Sequence, residues 1–338
     1  MSESCELPEF DITGAAQIAR DLYALEGPIR ALDGERDLNF LIEDQSDKFV
    51  FKIANEEESP SMLECQHLVF ERLASAQVFP VVATARASIN GDLIEYVNSP
   101  KGIRHACRVL PFVEGQLLGQ CEQLDTGLME SFGRGLANLD LALEGFEHKA
   151  LQRPLLWEMR EALSRTEAYK PLLRNDHQRS LVEHFEQGFK QRVIPLQNAL
   201  RQSTIHNDAN RGNVLVDENC SALIGIIDFG DMVKSWLVIE PAIAATYAML
   251  DQPEPLIKAR DLIRGYHQIL PLTDSEFEVL FDLIGMRLSM SVCICAHQRG
   301  LAPDNAYLSV DESAAWQLME ILQPLDHAAV THLLQGRD

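Results

Sequence analysis

Residues 206–231 read HNDANRGNVLVDENCSALIGIIDFGD. Two short apolar runs, Asn213 to Val216 and Leu223 to Ile227, flank the polar turn Asp217-Glu218-Asn219-Cys220-Ser221, which predicts a β-hairpin. Antiparallel pairing would bring its ends together, with His206-Asn207-Asp208 and Asn213 on one side and Asp228-Phe229-Gly230-Asp231 on the other. Carboxylate and amide oxygens would then cluster at one edge. Such hard ligands suit Mg2+, which takes one or two carboxylates plus phosphate oxygens rather than an all-protein cage. One Asp could stay off the metal to orient a hydroxyl and take its proton. The plainer alternative is that Asp208 and Asp228 only cap the hairpin as turn residues.

Outward from the hairpin, the two sides of the sequence differ in period. Toward the amino terminus, Leu38 to Ile42 and Phe49 to Ile53 form short apolar runs around Asp44-Gln45-Ser46-Asp47, a second hairpin signal. Ser59 then offers a cap and Pro60 a first helical position, before Met62, Leu63, Cys65, Val69, Phe70 and Leu73 at near-helical spacing. Asn90-Gly91 predicts a tight hairpin turn, and Cys107 to Val113 a buried strand. From about residue 126 the period becomes 3.6, with helices expected at 126–143, 154–169, 176–200, 238–251, 254–270, 273–298 and 310–323. The expected fold is α+β with two lobes, a small β-rich lobe over 1–113 and a larger, mainly helical lobe over 114–338 that carries the embedded hairpin.

Composition sets the class. The 338 residues suffice for a sizeable core, and 46% hydrophobic with 24% charged residues is an ordinary globular balance. With 29 basic against 51 acidic residues, the net charge of −22 opposes binding to nucleic acid or anionic lipid. MSESCELPEF at the amino terminus lacks the basic start and apolar stretch of a signal peptide. The weakly polar run Leu283 to Ala296 contains Arg287 and is read as too short and too charged to span a bilayer. The seven cysteines, at 5, 65, 107, 121, 220, 293 and 295, contain no C-x-x-C pair, so they are expected as reduced thiols in a cytoplasmic protein. Cys293 and Cys295, two apart on a helix, point away from each other and are expected as core residues rather than metal ligands.

In the first lobe, Lys52 ends an apolar strand and needs a partner if it points inward, and Glu64 on the following helix is the nearest suitable carboxylate. The spacing His-x-Asp-x-x-x-x-Asn, then a short strand and Asp-Phe-Gly, resembles the catalytic centre of kinase-like phosphotransferases. With DLNFLI at 37–42, FVFKIAN at 49–55, LECQ at 63–66, RVLPFVEG at 108–115, GIIDFGDM at 225–232 and EPAIAATYAML at 240–250, the chain resembles the aminoglycoside phosphotransferase and choline kinase superfamily of small-molecule kinases over nearly its full length. Within that superfamily it resembles the hydroxylysine kinases. The resemblance implies a protein-kinase-like fold, a purine nucleotide donor (ATP or GTP) and Mg2+. It also implies Asp208 as base, His206 as support for the catalytic loop, Asn213 and Asp228 as metal ligands, Lys52 and Glu64 as the phosphate-gripping pair, and Leu110 to Phe112 as the purine hinge. Two departures stand out. Asn207 occupies a place that is usually Gly, and Asn tolerates a left-handed backbone best among the others. The nucleotide loop Leu32-Asp33-Gly34-Glu35-Arg36-Asp37 has one Gly and is acidic, with Arg36 as a compensating charge.

No activation segment or Ala-Pro-Glu follows Asp228, which argues against a protein acceptor and for a small alcohol. For an amino-acid acceptor, with 5-hydroxylysine first, Asp231 and Glu240 are acidic candidates and Arg287 the cation, unless Arg287 and Glu240 form a structural ion pair. Trp236 and Tyr247 could wall the pocket or belong to the core. Homoserine, ethanolamine, choline and an aminoglycoside are the alternative acceptors, and a silent nucleotide-binding module is the alternative class. The residues do not define an oligomeric state.

Overall fold

A computed structural model describes residues 7–34, 36–79, 84–301 and 310–336. Cys5 and Glu35 lie outside these residues. The chain divides into two units, Met1–Glu114 and Gly115–Asp338.

The first unit is a helix-flanked antiparallel sheet. It comprises α1 (Ile12–Tyr23), β1 (Ile29–Leu32), β2 (Leu38–Asp44), β3 (Asp47–Ile53), α2 (Pro60–Ser75), β4 (Glu95–Asn98) and β5 (Arg104–Pro111), with strand order β1-β2-β3-β5-β4. Period-two alternation sorts the strands' side chains into two faces. Phe40, Ile42, Phe51, Ile53, Cys107 and Val109 pack against Ala15, Ala19 and Tyr23 of α1. The Tyr23 hydroxyl donates to the Cys107 carbonyl at 2.9 Å. Lys52 falls on the other face, where Leu63 of α2 packs on Ala54 and Ala106. The sequence reading did not place α1, although Ala15, Ala19 and Tyr23 recur at helical spacing on its buried face. The Asn90-Gly91 turn forms, with Gly91 at φ 90° and its N–H on the Ser88 carbonyl. The expected hairpin does not: on its amino-terminal side the only ladder contact among the described residues is the bridge of Arg86 to Val109 on β5.

The second unit contains β6 (Gln116–Leu117), α3 (Thr126–Ala142), α4 (Ala162–Tyr169), α5 (Asp176–Gly188), α6 (Ile194–Leu196), β7 (Gln202–Ile205), β8 (Val214–Val216), β9 (Leu223–Ile226), β10 (Val233–Trp236), α7 (Ile239–Met249), α8 (Pro255–Ile269), α9 (Asp274–Leu301), α10 (Val310–Leu322) and α11 (His327–Leu334). Helices α3 and α8 cross where a Cβ at Gly133 would lie 2.0 Å from the Leu262 carbonyl oxygen and one at Gly265 would lie 2.2 Å from that of Glu130. Only glycine permits so close a backbone approach. Two expected helices are shorter than their apolar patterns. The 176–200 pattern breaks into α5, a π turn at Phe189–Val193 and α6, since Pro195 cannot donate within a regular helix. The 154–169 pattern becomes helical only at Ala162, leaving Trp157 and Glu158 in an irregular segment.

Three strands, β6-β8-β9, form the embedded sheet, and β10 pairs with β7. The β6–β8 pairing brings Cys121 and Cys220 into a disulfide, with Cα atoms 6.0 Å apart. This corrects the expectation that all cysteines are thiols, because a pairing across 99 residues leaves no local sequence signal. Cys65, Cys107, Cys293 and Cys295 are not disulfide-bonded. Helix α9 follows the expected 273–298 pattern and extends past the apolar run Leu283 to Ala296; by length and composition Asp274–Gly300 could cross a membrane, but 83% of its apolar window is buried within the fold. It forms the spine of the second unit.

Along that spine, Asp282 of α9 pairs with Arg192 at 2.6 Å and with His327 of α11 at 3.2 Å. The hydrogen bond to Asp282 raises the His327 pKa. Burial opposes ionisation of Asp282, but its bonds from His327 and Arg192 outweigh it and hold that carboxyl below its ordinary value. A raised His pKa contributes stability that is complete below about 6.5, the unfolded value, and is lost as pH rises through the folded value. His327→Asn should therefore cost ~1 kcal/mol at pH 5.5 and close to nothing at pH 8.5 in urea unfolding. An equal loss at both pH values would remove the charge pair from the account.

Candidate active site

The hairpin closes as its residues require. Asp217 accepts from the Ser221 N–H at 2.6 Å and from its hydroxyl at 2.5 Å, making the tight turn between β8 and β9. At the open end, the Ile227 N–H donates to the Asn213 carbonyl at 2.8 Å. The Ile227 carbonyl accepts from His206 Nε2 at 3.0 Å. That contact fixes the tautomer, so His206 Nδ1 accepts the Asp208 N–H at 3.2 Å. His206 is fully buried and meets the Phe229 ring edge-on, with centroids 4.6 Å apart. Asn207 takes the left-handed conformation, φ 67°, that its glycine-like place requires. Its N–H donates to Glu240 Oε2 at 3.0 Å.

Around Asp208 the polar contacts converge. Asn213 Nδ2 donates to Asp208 Oδ2 at 2.6 Å and to the Asp208 carbonyl at 3.0 Å, while Asn210 Nδ2 donates to Oδ1 at 3.0 Å. With its amide N–H groups turned to Asp208, Asn213 leaves its side-chain oxygen for a hard cation. Asp228, exposed and left-handed at φ 61°, starts a tight turn in which its Oδ1 accepts the Gly230 N–H at 3.2 Å. Arg153 holds that turn from outside, donating to the Gly230 carbonyl and, at 3.2 Å, to that of Met232. No cluster of three or more His, Cys, Asp or Glu suited to a metal occurs among the described residues. One amide oxygen and one carboxylate fit a cation completed by phosphate oxygens.

Burial pushes the Asp208 carboxyl up to about 7; Arg287 opposes this, and the charges of Asp231 and Asp228 add to it. A carboxyl poised there can accept a proton at neutral pH, provided the acceptor hydroxyl reaches it. Arg287 Nη2 lies 3.8 Å from Asp208 Oδ1. Asp231 is buried. Glu240 is also fully buried, and burial raises its pKa. Its carboxylate faces and braces the backbone of the loop at Asn207, and the alternative pairing with Arg287 does not form among the described residues. Tyr247 receives a hydrogen bond from Arg287 at 3.2 Å, whereas Trp236 is buried against Phe189.

In the first unit, Gly34 lets the candidate nucleotide loop fold over Asn39: a Cβ there would lie 2.3 Å from Asn39 Nδ2. Arg36 in this loop is exposed. Lys52 is half-buried on β3, but the expected Lys52–Glu64 pair does not form. The reason is helix phase, because Glu64 shares the outward face of α2 with Leu68, while Leu63, Gln66 and His67 turn inward. The polar contact made there is Arg108 of β5 with Gln66, at 2.5 Å. Burial, aided by the Arg108 charge, lowers the neighbouring His67 to about 4. At the residues expected as the purine hinge, the backbone pairing sets which groups are open. The Phe112 N–H donates to the Lys48 carbonyl, and Leu110 lies opposite Val50 on β3. By strand alternation the Pro111 carbonyl and the Val113 N–H face away from β3. Gln66 and Arg108 fall within the LECQ and RVLPFVEG stretches but, like Arg153 and Trp157, were given no role from sequence, since their contacts with Arg108, Gln66, Gly230 and Arg287 join residues distant in the chain.

A His-x-Asp loop tied to an Asp-Phe-Gly turn, on a fold with a β-sheet unit followed by a helical one, defines a small-molecule phosphotransferase that acts on a hydroxyl. The chain belongs to the phosphotransferase enzyme family APH, whose family model matches residues 29–275. Hydroxylysine kinase of Mus musculus is 28% identical, covering 98% of this chain and 94% of its own length. That of Xenopus laevis is 27% identical, over 94% and 90%. Two solved structures share the fold. An amicoumacin kinase, hAmiN, in complex with AMP-PNP, Ca2+ and Ami has a TM-score of 0.71 at 16% identity, covering 95% of this chain and 97% of that one. A microcompartment-associated aminopropanol kinase reaches 0.70 at 17% identity, covering 97% and 98%.

Asp208→Asn keeps the shape of the loop and removes the proton acceptor. It should lower turnover by about 10²- to 10⁴-fold and leave nucleotide affinity, measured by calorimetry, within about threefold, a shift of under about 1 kcal/mol. Wild-type turnover in this variant would show that Asp208 is not the base.

Proposed function

We propose that the protein transfers the γ-phosphoryl group of ATP or GTP to the hydroxyl of a small amino alcohol, with 5-hydroxylysine as the first substrate. The observation that carries this reading is Asp208. Its carboxyl is held in place by Asn210 and Asn213, set near neutrality by burial, and retains 24% side-chain exposure, enough for an acceptor to reach it. The near full-length similarity to hydroxylysine kinases supports the choice of acceptor.

In this reading the acceptor oxygen attacks the γ-phosphorus and the bond from that phosphorus to the β,γ-bridging oxygen breaks. The nucleoside diphosphate leaves with the electron pair, and the hydroxyl proton passes to Asp208. Asn213 and Asp228 would hold Mg2+, which supplies charge neutralisation at the phosphates. Lys52 and the Gly34 loop, with Arg36, would hold the triphosphate, and the Pro111 carbonyl and Val113 N–H would read the purine edge. Glu64 has no part in this assignment. A cytoplasmic location belongs to the same proposal, supported by Cys65, Cys107, Cys293 and Cys295, which are not disulfide-bonded; the Cys121–Cys220 disulfide stands against it.

A coupled nucleoside-diphosphate release assay with Mg2+ tests this directly, crossing ATP and GTP with hydroxylysine, homoserine, ethanolamine, choline and kanamycin. The expected result is release with hydroxylysine well above the nucleotide-only rate. Release with another acceptor alone would replace the substrate, and silence throughout would replace the reading with a nucleotide-binding module.

A further inference from the structure

Arg287 lies on α9 and is 1% exposed. Its guanidinium carbon stands 4.7 Å from the Trp157 ring centroid and 5.5 Å from that of Tyr247, so one aromatic from an irregular segment and one from α7 hold it. Its polar contacts are sparse for a buried cation. Nη2 donates to the Tyr247 hydroxyl at 3.2 Å and lies 3.8 Å from Asp208 Oδ1. Nε and Nη1 have no hydrogen-bond partner among the described residues. An uncompensated buried guanidinium is costly, and Arg, with its planar fork of donors, is suited to a bidentate carboxylate. Asp208 does not fill that role, because its oxygens already receive Asn210 and Asn213.

We infer that Arg287, held by Trp157 and Tyr247, binds the carboxylate of the acceptor, so that the substrate class is a hydroxylated amino acid and not a carboxylate-free amino alcohol. This rests on the kinase reading and deepens it. The carboxylate supplies the anion that the two open N–H groups lack, and this anchor beside Asp208 orients the hydroxyl-bearing end of the acceptor toward the base. A carboxylate-free acceptor would leave Nε and Nη1 of Arg287 buried without a hydrogen-bond partner.

Matched pairs test it: 5-hydroxylysine against its decarboxylated counterpart 1,5-diaminopentan-2-ol, and homoserine against 3-aminopropanol. Binding to the full chain with Mg2+ and AMP-PNP is measured by calorimetry, and turnover with ATP is measured in parallel. Wild type should bind the carboxylate member of the pair it accepts on the order of 10²- to 10³-fold more tightly, the loss expected when a buried charge has no partner. Arg287→Met should collapse that ratio to within a few fold, and Arg287→Lys should keep part of it. Without ligand, the melting temperature of Arg287→Met should equal or exceed that of wild type, because Met fills the space without a buried charge. A melting temperature lowered by several degrees with the carboxylate preference intact would make Arg287 structural. Equal weakening of both members of a pair, or no preference in wild type, would overturn the anchor. The two readouts separate the claims: turnover without acceptor discrimination refutes only the anchor, whereas discriminating binding without any turnover refutes only the kinase reading.

Discussion

Both peptide groups of Ile227 are committed. Its N–H holds the Asn213 carbonyl and its carbonyl holds His206 Nε2, so one residue at the end of β9 joins the two loops of the candidate site. Everything at the candidate site follows from that tie. His206, fixed in one tautomer, takes the Asp208 N–H on its other nitrogen, and Asp228 follows directly in the chain. Net hydrogen-bond energies of roughly 1 kcal/mol each would not order a loop alone. Burial of His206 against Phe229, and of Glu240 beneath Asn207, makes breaking any one of them cost more.

Beneath this loop lies a second layer of buried acids. Glu240 accepts the Asn207 N–H, and Asp140, whose pKa burial drives well up with help from Glu240, accepts the Tyr266 hydroxyl at 2.6 Å. Burial disfavours the charged forms of both groups and raises both carboxyls above their ordinary values. The left-handed residues Asn207 and Asp228 store backbone strain at the two places where the loops must turn sharply.

Much of this was legible in the sequence where the signal was local. The turn at Asp217 to Ser221, the apolar runs beside it and the His-x-Asp-x-x-x-x-Asn spacing predicted the hairpin and the grouping of Asp208 with Asn213. What sequence did not show depends on helix phase or distant partners. Glu64 was the nearest carboxylate to Lys52 by sequence, yet α2 turns it outward and offers Gln66 to Arg108 instead. The sequence named Leu110 to Phe112 for the purine hinge, but strand alternation decides which peptide groups are open there, and that emerged only with the β3–β5 register. Trp157 looked like part of a helix and is instead a support for Arg287. Cys121 and Cys220 became partners only when β6 paired with β8.

The central claim is that the loop around Asp208 directs phosphoryl transfer to a small-molecule hydroxyl. Phosphorus NMR of a reaction containing the full chain, Mg2+, ATP and 5-hydroxylysine observes the transfer itself. The account requires a phosphomonoester resonance that grows in step with the nucleoside diphosphate. Diphosphate accompanied only by inorganic phosphate would mean that water, and not the bound alcohol, takes the phosphoryl group, and would contradict it.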